Sequence, residues 1–275
     1  MDIYEKTSAF YRQATTKKLI YGKSLLGRNL YAVKMGEGSP VGIAIYAIHG
    51  REFITAELAF LHYIKGVYGS VWLLPLSNPD GALLSEKGLS SVKTGKVKKF
   101  LSSFSKEELR LWKANARGVD LNVNFDADFG KGARNVTLRG GENCIGAYPF
   151  SERETKAIRD FTLSIAPDYT VSYHSKGEEI YWYYKQPLSR VPRDKAIAEA
   201  LSRSSGYPLR HAVGSVGGYK DWCIQSLGIS AFTVEVGKEE YKHPLEGNTV
   251  LKEIEERNGQ DLLAISRQVK EYKLQ

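Results

Sequence analysis

The sequence predicts an α/β fold, a single domain in which buried strands alternate with helices, and three observations carry that expectation. Residues 41–48 (VGIAIYAI) form an unbroken apolar run, as in a strand covered on both faces of a parallel or mixed sheet. Residues 70–76, 167–174 and 229–236 are further strand-like runs, separated by stretches with helical spacing. No internal repeat, low-complexity tract or linker divides the chain, so residues 1–275 read as one domain.

In chain order, residues 1–20 predict a short amphipathic helix, and residues 22–34 a hairpin about Leu26-Gly27-Arg28-Asn29. The strand at 41–48 ends in His49-Gly50-Arg51-Glu52, after which helical spacing runs through Tyr63. The strand at 70–76 runs into Ser77-Asn78-Pro79-Asp80-Gly81, a dense turn signal. Residues 82–118 read as basic, serine-rich and irregular, with a short helix at 105–113, and residues 118–125 as strand-like at their start. Ser151 with Glu154 three residues on spells a capping box for a helix ending at Ile165. Strands follow at 167–174 and 179–184, then helices at 192–204 and 218–227. A strand at 229–236 and an amphipathic helix at 249–272 close the chain.

Composition narrows the function. Apolar content of 42% and charged content of 25% suit a globular chain with a sizeable core. No stretch approaches the roughly 18 apolar residues of a membrane span, and the polar start MDIYEKTSAFYRQATTKK is not a secretory signal. Cys144 and Cys223 make no disulfide framework, so a reducing cytoplasm is expected, with no membrane partner. The net charge of +8 favours anionic partners. Its densest patch, residues 93–99 (KTGKVKK), lacks aromatic interleaving and any binding motif, so it reads as a solvated loop rather than a nucleic-acid site. Acidic substrates remain compatible with that charge.

The chemistry collects at strand ends. His49 falls at the carboxyl edge of its strand and Glu52 in the first turn beyond, where open α/β sheets bind ligands. An imidazole and a carboxylate at that spacing can grip one cation, and a catalytic zinc takes three protein ligands plus a water. His174 ends an apolar strand as His49 does and is the candidate third ligand, whereas His62, His211 and His243 read as surface or structural residues. Glu235 is the other anomaly, a carboxylate inside ISAFTVEVG. Burying it alone is costly, so it has a cationic partner or borders a cleft. A glutamate beside a zinc-bound water is what a general base requires.

HGRE (49–52), NPDG (78–81), RGVDLN (117–122), the strand-end His174 and TVEVG (233–237) resemble, in order and spacing, the motifs of the zinc carboxypeptidases. The resemblance runs from about Gly22 to the end of the chain. It implies a mixed, mostly parallel, twisted eight-stranded sheet flanked by helices, with one zinc. His49, Glu52 and His174 would be its ligands and Glu235 the general base. Arg117 would polarise the scissile carbonyl and hold the oxyanion, while Arg51 and Asn122 would contact substrate.

Two departures sharpen this. Where those carboxypeptidases have an arginine that clamps the substrate's terminal carboxylate, this chain has Val123, and their substrate-capping tyrosine aligns nearest to Val213. The stretches WKANARGVDLN, HSKGEEIYWYY and GGYKDW are instead similar to the bacterial γ-D-glutamyl-L-diamino acid endopeptidases, which cut peptidoglycan stem peptides between D-glutamate and meso-diaminopimelate or lysine. On that resemblance Arg51, Lys176, Lys220 and Asp221 are candidate readers of the substrate's carboxylates and amine, with plain surface charge the alternative for the two lysines. The tyrosine- and tryptophan-rich run 181–184 reads as sheet packing rather than a sugar platform. The expected function is a zinc peptidase acting on murein peptides. The alternatives are a metallocarboxypeptidase of other specificity, a related amidase or deacylase, and a non-catalytic wall-binding relative; intact ligands, Arg117 and Glu235 speak against the last.

Overall fold

The apolar runs become strands because both sets of their alternating side chains find cover. The structure, a computed structural model, describes residues 1–93 and 95–274; Thr94 of the lysine-rich patch lies outside them. In β3 (Val41–Tyr46), Ala44 and Tyr46 pack in one apolar layer, while Ile43 and Ile45 pack in the other. The same alternation splits β4 (Ser70–Leu74) into Val71 and Leu73 against Trp72 and Leu74. A sheet with two dry faces needs helices on both. The first layer is closed by α2 (Ile54–Tyr63), α7 (Val191–Ser205), α9 (Asn248–Asn258) and α10 (Asp261–Lys273). The second is closed by α6 (Arg153–Ile165) and α8 (Tyr219–Trp222), through Ile158, Phe161, Tyr219 and Trp222.

The remaining strands are β1 (Lys18–Lys23), β2 (Asn29–Gly36), β5 (Tyr169–His174), β6 (Glu179–Tyr183), β7 (Leu209–His211) and β8 (Ser230–Glu235), giving eight strands in the order β1-β2-β4-β3-β5-β8-β6-β7. The central four, β4-β3-β5-β8, are mutually parallel, as are β6 and β7; β1–β2, β2–β4 and β8–β6 are antiparallel. This is the mixed, mostly parallel eight-stranded sheet that the motif resemblance implied. Because β3, β5 and β8 run parallel and in register, their carboxyl ends meet at one edge. Tyr46 pairs with Tyr173 there, and His174 with Glu235. No helix among the described residues is long and apolar enough to cross a membrane.

Several local expectations are corrected. The first helix, α1 (Ile3–Gln13), stops well short of residue 20, and residues 18–23 form the edge strand β1, so the hairpin is β1–β2. The turn signal at 77–81 is a helix start: Asn78 caps α3 (Pro79–Lys87) by accepting from Gly81 N at 3.0 Å, with Pro79 in the first turn. The segment read as irregular also holds α4 (Lys96–Leu101), beside the expected short helix, which is α5 (Lys106–Arg110), capped by Ser105. Residues 118–125 form no strand, because the Asp120 carboxylate accepts from Asn122 N at 3.0 Å and folds Leu121–Val123 into a 3₁₀ turn. The capping box at Ser151 does not close. Its hydroxyl binds Glu152 and Asn124 at 3.0 Å, and Glu154 reaches Leu25 N at 2.8 Å instead. Distant partners there outcompete the local ones. The closing helix is broken at Gly259-Gln260 into α9 and α10, where buried Asn258 donates to Asp261 at 2.9 Å.

Candidate metal centre and substrate cleft

β3 ends at Tyr46, Ala47 turns the chain with φ 48°, and His49 opens the 3₁₀ turn Gly50–Glu52. That turn is clamped from below. Gly50 N donates to Lys113 O at 2.9 Å, and Asn78 Nδ2 donates to Ile48 O and Ala114 O, each at 3.1 Å. A Cβ on Gly50 would lie 2.5 Å from the Gly81 backbone and 2.6 Å from Trp112 O, so only glycine permits this approach. The HGRE and NPDG motifs are therefore one structural joint.

His49, Glu52 and His174 converge above it, all buried. His49 Nδ1 lies 2.9 Å from Glu52 Oε1, His174 Nδ1 lies 3.0 Å from Glu52 Oε2, and the two imidazole nitrogens are 3.1 Å apart. His49 Nε2 faces Asp120 Oδ1 at 3.3 Å, which fixes the ring so that Nδ1 turns to the centre. Burial alone would raise the Glu52 pKa, but His49 and His174 outweigh it and hold the carboxyl well below its usual value. Burial likewise opposes the charged form of His49, and Glu52 with Asp120 reverses that, raising its pKa. Two imidazoles and an ionised carboxylate aimed at one point are the donor set of a three-ligand zinc site. The fit is good.

Glu235 ends β8 opposite His174 and is half-buried in the wall of a cleft of about 300 Å³. Burial pushes its carboxyl up to about 7; His174 opposes this and Glu52 adds to it. A carboxyl poised there can both take and return a proton near neutral pH. Asn122, Lys220 and Asp221 line the same cleft.

A family model for zinc carboxypeptidases matches residues 3–258. The chain belongs to the zinc carboxypeptidase family. Among curated relatives, γ-D-glutamyl-L-diamino acid endopeptidase 1 of Lysinibacillus sphaericus is 30% identical over 236 residues, covering 78% of this peptidase and 59% of the relative. Murein peptide amidase A of Escherichia coli K12 is 31% identical over 134 residues, 45% of this chain and 50% of that one. This chain thus spans about three fifths of the first relative's length. The fold superposes on bovine thrombin-activatable fibrinolysis inhibitor in complex with a tick carboxypeptidase inhibitor, with TM-score 0.79, 20% identity and coverage of 99% and 98%. It also matches a murein-tripeptide amidase from E. coli O157, with TM-score 0.62, 23% identity and 94% coverage of each.

In this zinc peptidase the expected residues divide. Arg117 pairs through its Nε with Glu152 Oε2 at 3.2 Å, and like the three metal ligands it does not line the cleft. Glu152 is buried and needs the countercharge. The cation beside the metal ligands is Lys113, whose Nζ lies 3.6 Å from Asp120 Oδ2. Burial lowers its pKa, but the Asp120 and Glu52 carboxylates outweigh it, so the ammonium stays charged. Its charge acts on His49 and Glu235. Sequence reading missed Lys113 because it sits in an irregular segment held by distant backbone bonds. The available signal was a lysine flanked by Trp112, Ala114 and Ala116, all buried.

Arg51 lies in the ligand turn, 3.7 Å from Glu142, with a buried Nε that has no partner. Asn122 lines the cleft, its Oδ1 accepting from Tyr219 N at 3.1 Å. Lys176 pairs with exposed Glu239 at 3.1 Å and is no part of the cleft wall, which fits the surface-charge alternative. Lys220 and Asp221 form a buried ion pair at 2.6 Å. His62 is structural, its ring spanning Tyr46 Oη at 2.7 Å and Asn258 O at 2.9 Å. His211 stacks on Tyr183 at the cleft rim. His243 is half-buried in the field of Arg51, Lys176 and the ligands, with Nδ1 unpaired, which its loop position did not reveal.

Proposed function

We propose that this zinc peptidase hydrolyses the γ-amide between D-glutamate and a diamino acid in peptidoglycan stem peptides. The observation that carries this is the charge of the cleft. Among the described residues its sole lysine or arginine is Lys220, already neutralised by Asp221, and the turn that brings Asn122 to the cleft follows it with apolar Val123. A peptide's terminal α-carboxylate finds no unpaired lysine or arginine in this wall, as an ordinary carboxypeptidase would offer. A zwitterionic side chain finds both signs. Relatives named for γ-D-glutamyl-L-diamino acid and murein peptide bonds support the same class.

His49, Glu52 and His174 would hold the zinc, which when bound would supply a Lewis acid able to lower the pKa of water. Glu235 takes the attacking water's proton and delivers it to the departing amine nitrogen. Lys113, rather than Arg117, holds the negative charge that develops on the carbonyl oxygen, since a fixed cation in a dry site costs no reorganisation. Asp120 holds both Lys113 and His49 in place. Asn122 in the cleft wall and Arg51 in the ligand turn contact the substrate.

The test is a panel of L-Ala-γ-D-Glu-diamino acid peptides beside α-linked peptides with free C-termini. Cleavage confined to the γ-linked set is expected. Release of single C-terminal residues from the α-linked set would instead make the enzyme a metallocarboxypeptidase of other specificity. Both cysteines are free and buried, in keeping with action on murein fragments in a reducing cytoplasm. Recovery of the protein outside the cell on fractionation would refute that location.

A further inference from the structure

The lysine-rich stretch that reads from sequence as a solvated loop has a structure of its own. Residues 87–106 hold six lysines and no acidic residue. Part of this stretch winds into α4, whose Val97, Phe100 and Leu101 pack with Leu84, Leu109 and Trp112 in one apolar cluster. That face fixes the helix and turns Lys96 and Lys99 to solvent. Lys93 and Lys106 are exposed as well, and none of these four has an acidic partner among the described residues. By contrast, Lys87 pairs with Asp2 and Arg110 with Glu246, each at 2.5 Å. Like charges gathered without counter-ions repel one another, a cost that an anionic surface relieves.

The same stretch frames an apolar cavity. Its beginning (Gly88, Leu89) and its end (Phe104, Lys106) both line a space of about 410 Å³, which Leu84 and Leu109 complete. Phe104 joins this cavity to α4, its ring centroid 5.3 Å from that of Phe100 and 4.9 Å from that of Trp112. The nearest acids are engaged or lie past the stretch. Glu86 accepts from Ile3 N at 3.0 Å and Glu108 from Ser105 N at 2.7 Å, while Glu107 faces solvent beyond Lys106. An apolar cavity edged by unpaired ammonium groups matches an amphiphile, one with an apolar chain and an anionic head.

We infer that this face docks on an anionic phospholipid surface, with Lys93, Lys96, Lys99 and Lys106 among the headgroup phosphates and the cavity receiving one apolar chain. Neither feature selects that partner alone. Lysines without the cavity would suit a nucleic acid, which has no use for an apolar recess. The cavity without the lysines would suit an uncharged ligand. One apolar anchor gives marginal attachment, and a polybasic patch beside it supplies the second signal that stable, reversible binding needs. No helix among the described residues spans a membrane, and lying on one requires no span. The cavity shares no lining residue with the cleft of Glu235, so the two sites can be tested apart.

The experiment is co-sedimentation of the zinc-loaded full chain with vesicles, at about 0.15 M salt so that weak surface attraction is screened. One set is phosphatidylcholine alone, the other an equal mixture with phosphatidylglycerol. Partition to the anionic set should be at least about 100-fold stronger, since each lysine near such a surface adds about fivefold. With Lys93, Lys96, Lys99 and Lys106 all changed to Gln, that preference should fall to within about fivefold. Leu89→Asn, which keeps every charge, should weaken binding to the anionic set about tenfold through the lost apolar contact. Zinc content and melting temperature matched to the native chain show that each variant is folded. Equal partition to both sets overturns the inference, as does a preference that survives the four substitutions. Displacement by duplex DNA at equal phosphate, with Leu89→Asn binding like the native chain, would make this a general polyanion surface and overturn the lipid assignment.

Discussion

The peptidase holds two groups of wholly or partly buried carboxylates, and they are compensated in opposite ways. In one group Asp80, Glu152 and Glu154 are matched by fixed protein donors. Asp80 takes Ser24, Leu26 N and Arg28 at 2.9, 2.8 and 2.6 Å. Glu152 takes Asn115 at 2.8 Å and Arg117 at 3.2 Å, and Glu154 takes Leu25 N at 2.8 Å. In the other Glu52 faces two imidazole nitrogens, His174 Nε2 and Arg51 Nε have no partners, and Glu235 opens to a cleft. The first group is closed and holds the fold. The second is left open to a cation, a water and a substrate. Burial of acid alone does not mark a site; burial with donors left unmatched does.

Substitutions can break that contrast. Glu235→Gln should retain zinc and lower kcat about 10³–10⁴-fold, the upper range for a lost general base. Steady-state kinetics with metal analysis checks it, and a loss under tenfold would return Glu235 to a structural role. Lys113→Met should lower kcat about 10²–10³-fold, as for a lost oxyanion donor. Arg117→Met should leave kcat within about threefold while costing about 1–3 kcal/mol of stability through the unpaired Glu152. If the two variants trade these phenotypes in kinetics and denaturant titration, the oxyanion assignment goes back to Arg117. Asp120→Asn, which weakens the support of His49, should reduce zinc affinity about 10–100-fold in competition with a chelating dye.

The smallest effect sharpens the closed group. Burial, with Asp80 and Glu152 adding, raises the Glu154 pKa to about 7. Its contribution to stability is therefore fully present below the ordinary value near 4.5, and is lost as pH rises through about 7. Between pH 5 and 8 the native chain should lose roughly 2–4 kcal/mol through this group, and Glu154→Gln should flatten that slope in urea titrations. An unchanged slope would mean that Glu154 is ionised in the fold.

What the sequence made legible follows from how each residue is held. His49, His174 and Glu235 stand out because each interrupts an apolar run at a strand end, and parallel register alone brings those ends together. Lys113 and Asp120 carry no such mark. They lie in a segment without period, placed by bonds such as Gly50 N to Lys113 O and Asp120 N to Cys144 O, both 2.9 Å, between residues distant in sequence. Asn78-Pro79 misled because one pair of residues serves both a turn and a helix start, and only the buried face of α3 decides between them. Arg117 has a partner that its motif did not announce. Buried Glu152 pairs with it at 3.2 Å, a contact that local pattern could not foresee.

The most direct measurement is hydrolysis of L-Ala-γ-D-Glu-meso-diaminopimelate by the zinc-loaded enzyme, followed by mass spectrometry. Chelated enzyme, enzyme reloaded with zinc, and Glu235→Gln run alongside. The expected result is release of meso-diaminopimelate that disappears on chelation, returns on reloading, and is nearly absent in the variant. An intact tripeptide in the presence of fully loaded enzyme would contradict the assignment, and release unaffected by chelator would contradict the metal centre itself.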